Sequence, residues 1–73
     1  MRKRKLLTLM AAMEILVANS VLSAVQAREI VTKRKDEDDF SAEDVVNDLM
    51  EVDIPEEKFD IFIAVIDQIR KAL

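Results

Sequence analysis

The sequence predicts an all-α fold, and three observations support that prediction. The chain has no glycine and only one proline in 73 residues, so few positions favour the end of a helix. Apolar residues recur at helical spacing, without the sustained two-residue alternation that is typical of strands. The first half is also rich in Leu, Ala, Met and Glu, which are good helix formers. We therefore expect one helical domain covering residues 1–73, with three helices.

The first predicted helix spans about residues 5–35 and follows a basic tail at residues 1–4. Its apolar run extends from Leu6 to Val31 and leaves only a thin polar strip. Basic residues 33–35 suit the last turn, because cations stabilise the negative end of the helix dipole. A helix that is apolar nearly all round is buried nearly all round, so this helix needs extensive cover.

Two shorter helices are predicted after an acidic bend at residues 36–40. Ser41, with Asp44 three residues later, forms a pattern like a capping box, which indicates a helix over about 41–52. Pro55 is tolerated in the first turn of a helix, which indicates a third helix over about 55–72. The apolar residues of this last helix cover roughly 200° of the helical wheel, which predicts contact with two neighbours.

The apolar first helix predicts a homodimer with coiled-coil-like pairing. A chain this short is marginal alone, and it lacks the cysteine for disulfides and the histidine that most often binds metals. Glu14 and Asn19 are expected to specify the register of the pair, as isolated polar residues do in helical interfaces. The predicted dimer interface consists of Leu6, Leu9, Met10, Met13, Leu16, Val17, Val21 and Ala24.

The composition argues against an enzyme. Because His, Cys, Tyr, Trp and Gly are all absent, the chain cannot form a Cys/His pair, a Ser/His/Asp triad or a glycine-rich phosphate loop. The acidic tract at residues 36–44 lacks the glycine and the alternating ligands of a calcium loop. We therefore predict no catalytic residue, no metal site, no cofactor and no small-molecule substrate.

The charge distribution predicts a protein partner for a cytoplasmic regulator or adaptor. Residues 1–35 carry a net charge of +6, whereas residues 36–73 carry −10. An acidic surface attracts basic partners, and apolar helix faces can enter or form a groove. The predicted partner-binding residues are Phe59, Phe62, Ile66, Ile69, Asp44, Asp48 and Glu51.

Other interpretations remain open at this stage. Residues 6–27 have the length of a transmembrane segment and also resemble a signal peptide, although Glu14 interrupts the apolar run. A membrane-anchored or exported peptide is therefore an alternative, as is an acidic DNA mimic that inhibits a DNA-binding protein. Direct nucleic-acid binding is disfavoured, because the third helix begins with Glu56 and Glu57, which phosphate repels.

Overall fold

In a computed structural model of the chain, residues 3–37 and 39–73 are described, and all of their regular structure is helical. The prediction of an all-α fold is confirmed. Residues 1 and 2, part of the predicted basic tail, and residue 38 of the acidic bend lie outside the described residues. The helices are α1 (Lys3–Ala18), α2 (Ala24–Lys35), α3 (Ala42–Met50) and α4 (Phe59–Ala72), with a short 3₁₀ turn (Glu56–Lys58) leading into α4.

The prediction of one continuous helix over residues 5–35 is wrong. The chain leaves the helix after Ala18 and starts a new one at Ala24, so that α2 folds back and contacts α1. The α1 helix also contacts α4, and α4 contacts α3. Folding back brings apolar residues of the two segments together within one chain, where a single straight helix would have left them exposed.

The end of α1 at Ala18 has the hydrogen bonds of a Schellman motif. The Val21 N–H donates to the Leu16 carbonyl at 2.8 Å, and the Ser20 N–H donates to the Val17 carbonyl at 3.0 Å. Ser20 has φ of 60°, in the left-handed region that this motif requires and that glycine adopts most easily. Because the chain has no glycine, serine takes this position, and the usual glycine that indicates the end of a helix is absent from the sequence.

Replacing Ser20 by glycine is expected to raise the free energy of unfolding by about 1 kcal/mol, because it removes the steric cost of a side chain in the left-handed region. For a domain of this size the melting temperature should rise by about 4–8 °C, measured by circular dichroism. The matched control is Ser20→Ala, which keeps a Cβ atom and should give no increase. Equal melting temperatures for the two variants would contradict the steric explanation.

The α2 helix starts with a full capping box, at a position where the sequence predicted the middle of a longer helix. The Ser23 hydroxyl accepts the Gln26 N–H at 3.1 Å, and the Gln26 side-chain oxygen accepts the Ser23 N–H at 3.0 Å. Leu22, just before the cap, and Ala27 are both buried, as in a hydrophobic staple. The Ser-x-x-Gln spacing at residues 23–26 is typical of the start of a helix. It lies within the long apolar run, which by itself predicts one continuous helix.

The predicted start of the second helix is confirmed. Ser41 and Asp44 form a capping box, with the Asp44 carboxylate accepting the Ser41 N–H at 2.9 Å and the Ser41 hydroxyl accepting the Asp44 N–H at 3.2 Å. The backbone hydrogen bond from Ser41 is the main cause that lowers the pKa of Asp44. Pro55 precedes the 3₁₀ turn, so regular α-helix begins only at Phe59, later than predicted.

The hydrophobic core lies between the four helices. Leu9 and Leu16 of α1, and Val45 and Leu49 of α3, are fully buried within the single chain. The extensive cover that the sequence predicts for the first helix is therefore supplied by the same chain for these α1 residues. The buried apolar residues are Leu9, Ala12, Met13, Leu16, Val21, Leu22, Ala27, Ile30, Phe40, Val45, Val46, Leu49, Phe62, Val65, Ile66 and Ile69.

Candidate binding surfaces

Half of the residues predicted for the dimer interface belong to the core. Leu9, Met13, Leu16 and Val21 are buried within the chain, so they are not exposed to a second copy in this fold. Leu6 and Val17 are partly buried, and Met10 and Ala24 are exposed. The four buried residues are covered within the chain because α1 turns its most apolar side towards α2 and α4.

Three other residues of the predicted interface, Met10, Val17 and Ala24, line an apolar groove between α1 and α2. This groove, called here the α1–α2 groove, has a volume of about 440 Å³. Its floor includes the buried residues Met13 and Ala27. Its walls are Met10, Glu14 and Val17 of α1 and Ala24, Arg28 and Val31 of α2. The Met10 side chain is 46% exposed, so a large apolar group stands open at this surface.

The groove has one charge of each sign. Glu14 belongs to α1 and Arg28 to α2, and both are exposed. Neither forms an ion pair with any residue in the ranges 3–37 and 39–73. The groove is therefore apolar, with a carboxylate and a guanidinium available to charges from outside the chain.

A second exposed apolar surface lies where α3 approaches α4. Met50, Phe59 and Ile63, called here the C-terminal patch, are 60%, 49% and 59% exposed. Two clefts of about 350 and 380 Å³ open at the patch, and Met50 and Ile63 line both of them. Ile54 and Phe62 line the first cleft, whereas the second runs along α4 towards Arg70.

The surroundings of the C-terminal patch are acidic. Exposed acids in this region form no ion pair with a described residue; they are Glu51, Asp53, Glu56, Glu57 and Asp60. Arg70 at the far end of the second cleft is already paired with Glu43 at 2.9 Å, and this hydrogen bond raises the pKa of Arg70. The patch therefore combines exposed apolar side chains with unneutralised negative charge.

Most residues predicted to bind a partner have structural roles instead. Phe62, Ile66 and Ile69 are buried in the core, because the wide apolar face of α4 packs against both α1 and α3. Phe59 is exposed as a member of the C-terminal patch, and Glu51, next to Met50 in the sequence, is also exposed. The wide apolar face correctly indicated two neighbouring helices, but it did not tell which of its residues would remain outside the core.

The two predicted aspartates of α3 are engaged within the chain. Asp44 caps its own helix, as described above. Asp48 is 8% exposed and accepts from Arg34 at 2.7 and 3.0 Å and from Lys33 at 3.0 Å. Asp48 is neutralised by two cations of the same chain, whereas the Asp44 carboxylate accepts only a backbone N–H and forms no ion pair with a described residue.

Arg34 is the buried charged residue that the sequence analysis missed. Its guanidinium also binds Glu37 at 2.7 Å, so it joins the end of α2 to α3 and to the acidic bend. Burial alone would lower the pKa of Arg34, but the hydrogen bonds that Arg34 donates to the carboxylates of Asp48 and Glu37 outweigh burial and raise the pKa. Residues 33–35 had been interpreted only as favourable charges at a helix end, and no local spacing indicates a contact with Asp48.

Further properties of the described residues bear on function. Among residues 3–37 and 39–73, no group of three or more acidic side chains could hold a metal ion. No helix in these ranges is both long enough and apolar enough to cross a bilayer. Comparisons of the chain with protein-family models, with curated proteins and with solved structures give no match.

Proposed function

We propose that this chain is a non-enzymatic interaction protein, a regulator or adaptor that forms a homodimer through the α1–α2 groove and binds another protein. The observation that carries the homodimer is the groove itself, an apolar surface with Met10 exposed and with a single charge of each sign. Exposed apolar surfaces of this kind, edged by polar groups, are typical of protein interfaces.

A second copy is the occupant that the charges of the groove favour. In a two-fold symmetric dimer the same surface is used by both copies, so residue i of one copy meets residue j of the other and the reverse. Glu14 of one copy can then pair with Arg28 of its partner, twice in each dimer. The two groove surfaces together form a four-helix interface, with Met10 and Val17 of one copy packed into the groove of the other.

This dimer differs from the one expected from sequence. The groove keeps Met10, Met13, Val17 and Ala24 of the predicted interface and adds Glu14 and Arg28. Leu9, Leu16 and Val21 of the predicted interface lie in the core instead. Glu14 therefore keeps the proposed role of setting the register, but through a partner on α2. Asn19 no longer takes part, because its side chain donates to the Ile15 carbonyl at 2.8 Å and so caps the end of α1.

Replacing Met10 by glutamate is expected to weaken the dimer at least about tenfold, because it places two carboxylates in an apolar interface. Sedimentation equilibrium measures this change. The matched control is Ile15→Glu on the same helix, since Ile15 is 41% exposed but lies outside the groove. A monomeric wild-type chain, or equal effects of the two variants, would contradict the proposed interface.

A charge exchange tests the register. Glu14→Arg alone should weaken the dimer through repulsion from the partner's arginine. Adding Arg28→Glu restores complementary charges and should recover most of the affinity. A double variant as weak as Glu14→Arg would show that the two residues do not meet.

A further inference from the structure

We infer that the C-terminal patch binds a basic amphipathic helix of a partner protein. This inference rests on the proposed function and names the partner class for a surface that the proposed dimer leaves free. The large apolar side chains exposed together on α3 and α4 are Met50, Phe59 and Ile63. Exposure of these side chains to water is unfavourable in free energy, and contact with the apolar residues of a partner would remove that exposure.

The shape of the surface suits two apolar anchors. The clefts of about 350 and 380 Å³ share Met50 and Ile63, so they adjoin each other along α4. Residues three, four or seven apart on one helix project from the same side, and two of them can enter neighbouring clefts. Methionine adapts its shape to an apolar partner more readily than branched side chains, and Met50 stands between the clefts.

The charge of the surface selects the partner. Asp53 lines the first cleft and Asp60 the second, and neither has an ion-pair partner among the described residues. Glu51, Glu56 and Glu57 add further exposed negative charge, against which Lys58 is the only base in residues 51–60. Lysine or arginine beside the apolar anchors of a partner helix would complement these acids.

The same charge disfavours a second copy of this chain on the patch. Two such surfaces face to face would bring their unpaired acids together, and like charges across an interface are repulsive. The α1–α2 groove carries charges of both signs and has no such penalty. The two apolar surfaces therefore differ in the occupant that they favour.

The experiment measures binding of a fluorescein-labelled helical peptide of leucine and lysine, of about 18 residues or five turns, by fluorescence anisotropy. A peptide with glutamate in place of every lysine is the control ligand. The full chain should bind the basic peptide and not the acidic one, and added salt should weaken binding because it screens the charges. Equal binding of the two peptides, or no binding of the basic peptide, would overturn the inference.

Two pairs of variants locate the site. Ile63→Ser should weaken peptide binding about tenfold, whereas Val25→Ser, at a position 61% exposed on α2, should leave it unchanged. Asp53→Asn with Asp60→Asn should weaken binding and reduce its salt dependence. The control variant, Glu29→Gln with Asp36→Asn, removes the same amount of charge outside the patch. It should change neither the affinity for the peptide nor its salt dependence. Equal effects within either pair would place the peptide outside the patch.

The Met10→Glu variant separates this inference from the proposed dimer. If that variant is monomeric and still binds the peptide, both proposals are supported. If the wild-type chain is a monomer that binds the peptide through Ile63, the dimer fails and the patch stands. If Ile63→Ser, rather than Met10→Glu, dissociates a wild-type dimer, the patch is the dimer interface and both are overturned. Binding of phosphatidylcholine vesicles that depends on Ile63, without binding of the peptide, would assign the patch to a membrane surface and overturn the inference.

Discussion

Replacing Arg34 by methionine is expected to lower the free energy of unfolding by about 3 kcal/mol, measured by urea denaturation. The reason is the carboxylate left behind: Asp48 is 8% exposed and takes two hydrogen bonds from Arg34. Removing one member of a buried ion pair leaves the other desolvated and unpaired. The loss should fall at the lower end of the usual range because Lys33 still contacts Asp48 at 3.0 Å.

A matched arginine tests whether burial causes the effect. Arg70 pairs with Glu43 at 2.9 Å, but both side chains are at least half exposed. Arg70→Met should therefore cost no more than about 1 kcal/mol, as is usual for surface ion pairs. The double variant Arg34→Met with Asp48→Leu should regain most of the loss, because an apolar pair needs no compensating charge. If Arg34→Met and Arg70→Met have the same stability, the buried pair is not important for the fold.

Replacing Leu16 by alanine is expected to lower the free energy of unfolding by about 3–4 kcal/mol. Leu16 is 0% exposed, so the shorter side chain loses apolar contacts and leaves a cavity between α1 and its neighbours. Because a small domain has only about 5–10 kcal/mol of stability, the variant should melt well below the wild type. Circular dichroism during thermal and urea unfolding measures the change.

Leu7→Ala is the control for Leu16→Ala, since Leu7 is on the same helix but is 64% exposed. It should change the stability by less than about 1 kcal/mol. Protein concentration gives a second test. A substitution in the core should lower the free energy of unfolding by the same amount at low and high protein concentration. The effect of a substitution in a dimer interface should depend on concentration, because dimer stability follows mass action. A concentration-dependent loss for Leu16→Ala would return this residue to the dimer interface.

The sequence predicted local features of this fold better than the path of the chain. The Ser41 capping box needs only residues close in sequence, and so does the role of Pro55 before the last helix. The break after Ala18 depends on Ser20 in a backbone conformation that serine rarely adopts. An apolar run alone does not distinguish one long helix from two helices that cover each other.

The candidate surfaces were harder to predict because they consist of the apolar residues that are not packed in the core. Phe59 and Phe62 both looked like anchors for a partner, yet one is half exposed and the other is buried. Which of them packs inside depends on the angle at which α4 meets α1 and α3. The contact of Arg34 with Asp48 joins residues 14 positions apart across a bend, and helical periodicity carries no information about such pairs.

The contact between α1 and α4 links the first and last helices of the described fold. Residues 19–58 separate these two helices in the sequence, so their contact closes a long loop of chain, and the entropy of loop closure opposes it. Until that loop closes, Leu9 and Leu16 lack part of the apolar cover that they have in the complete fold. Because this contact joins distant parts of the sequence, the chain should fold more slowly than a bundle of the same size that is held by local contacts alone.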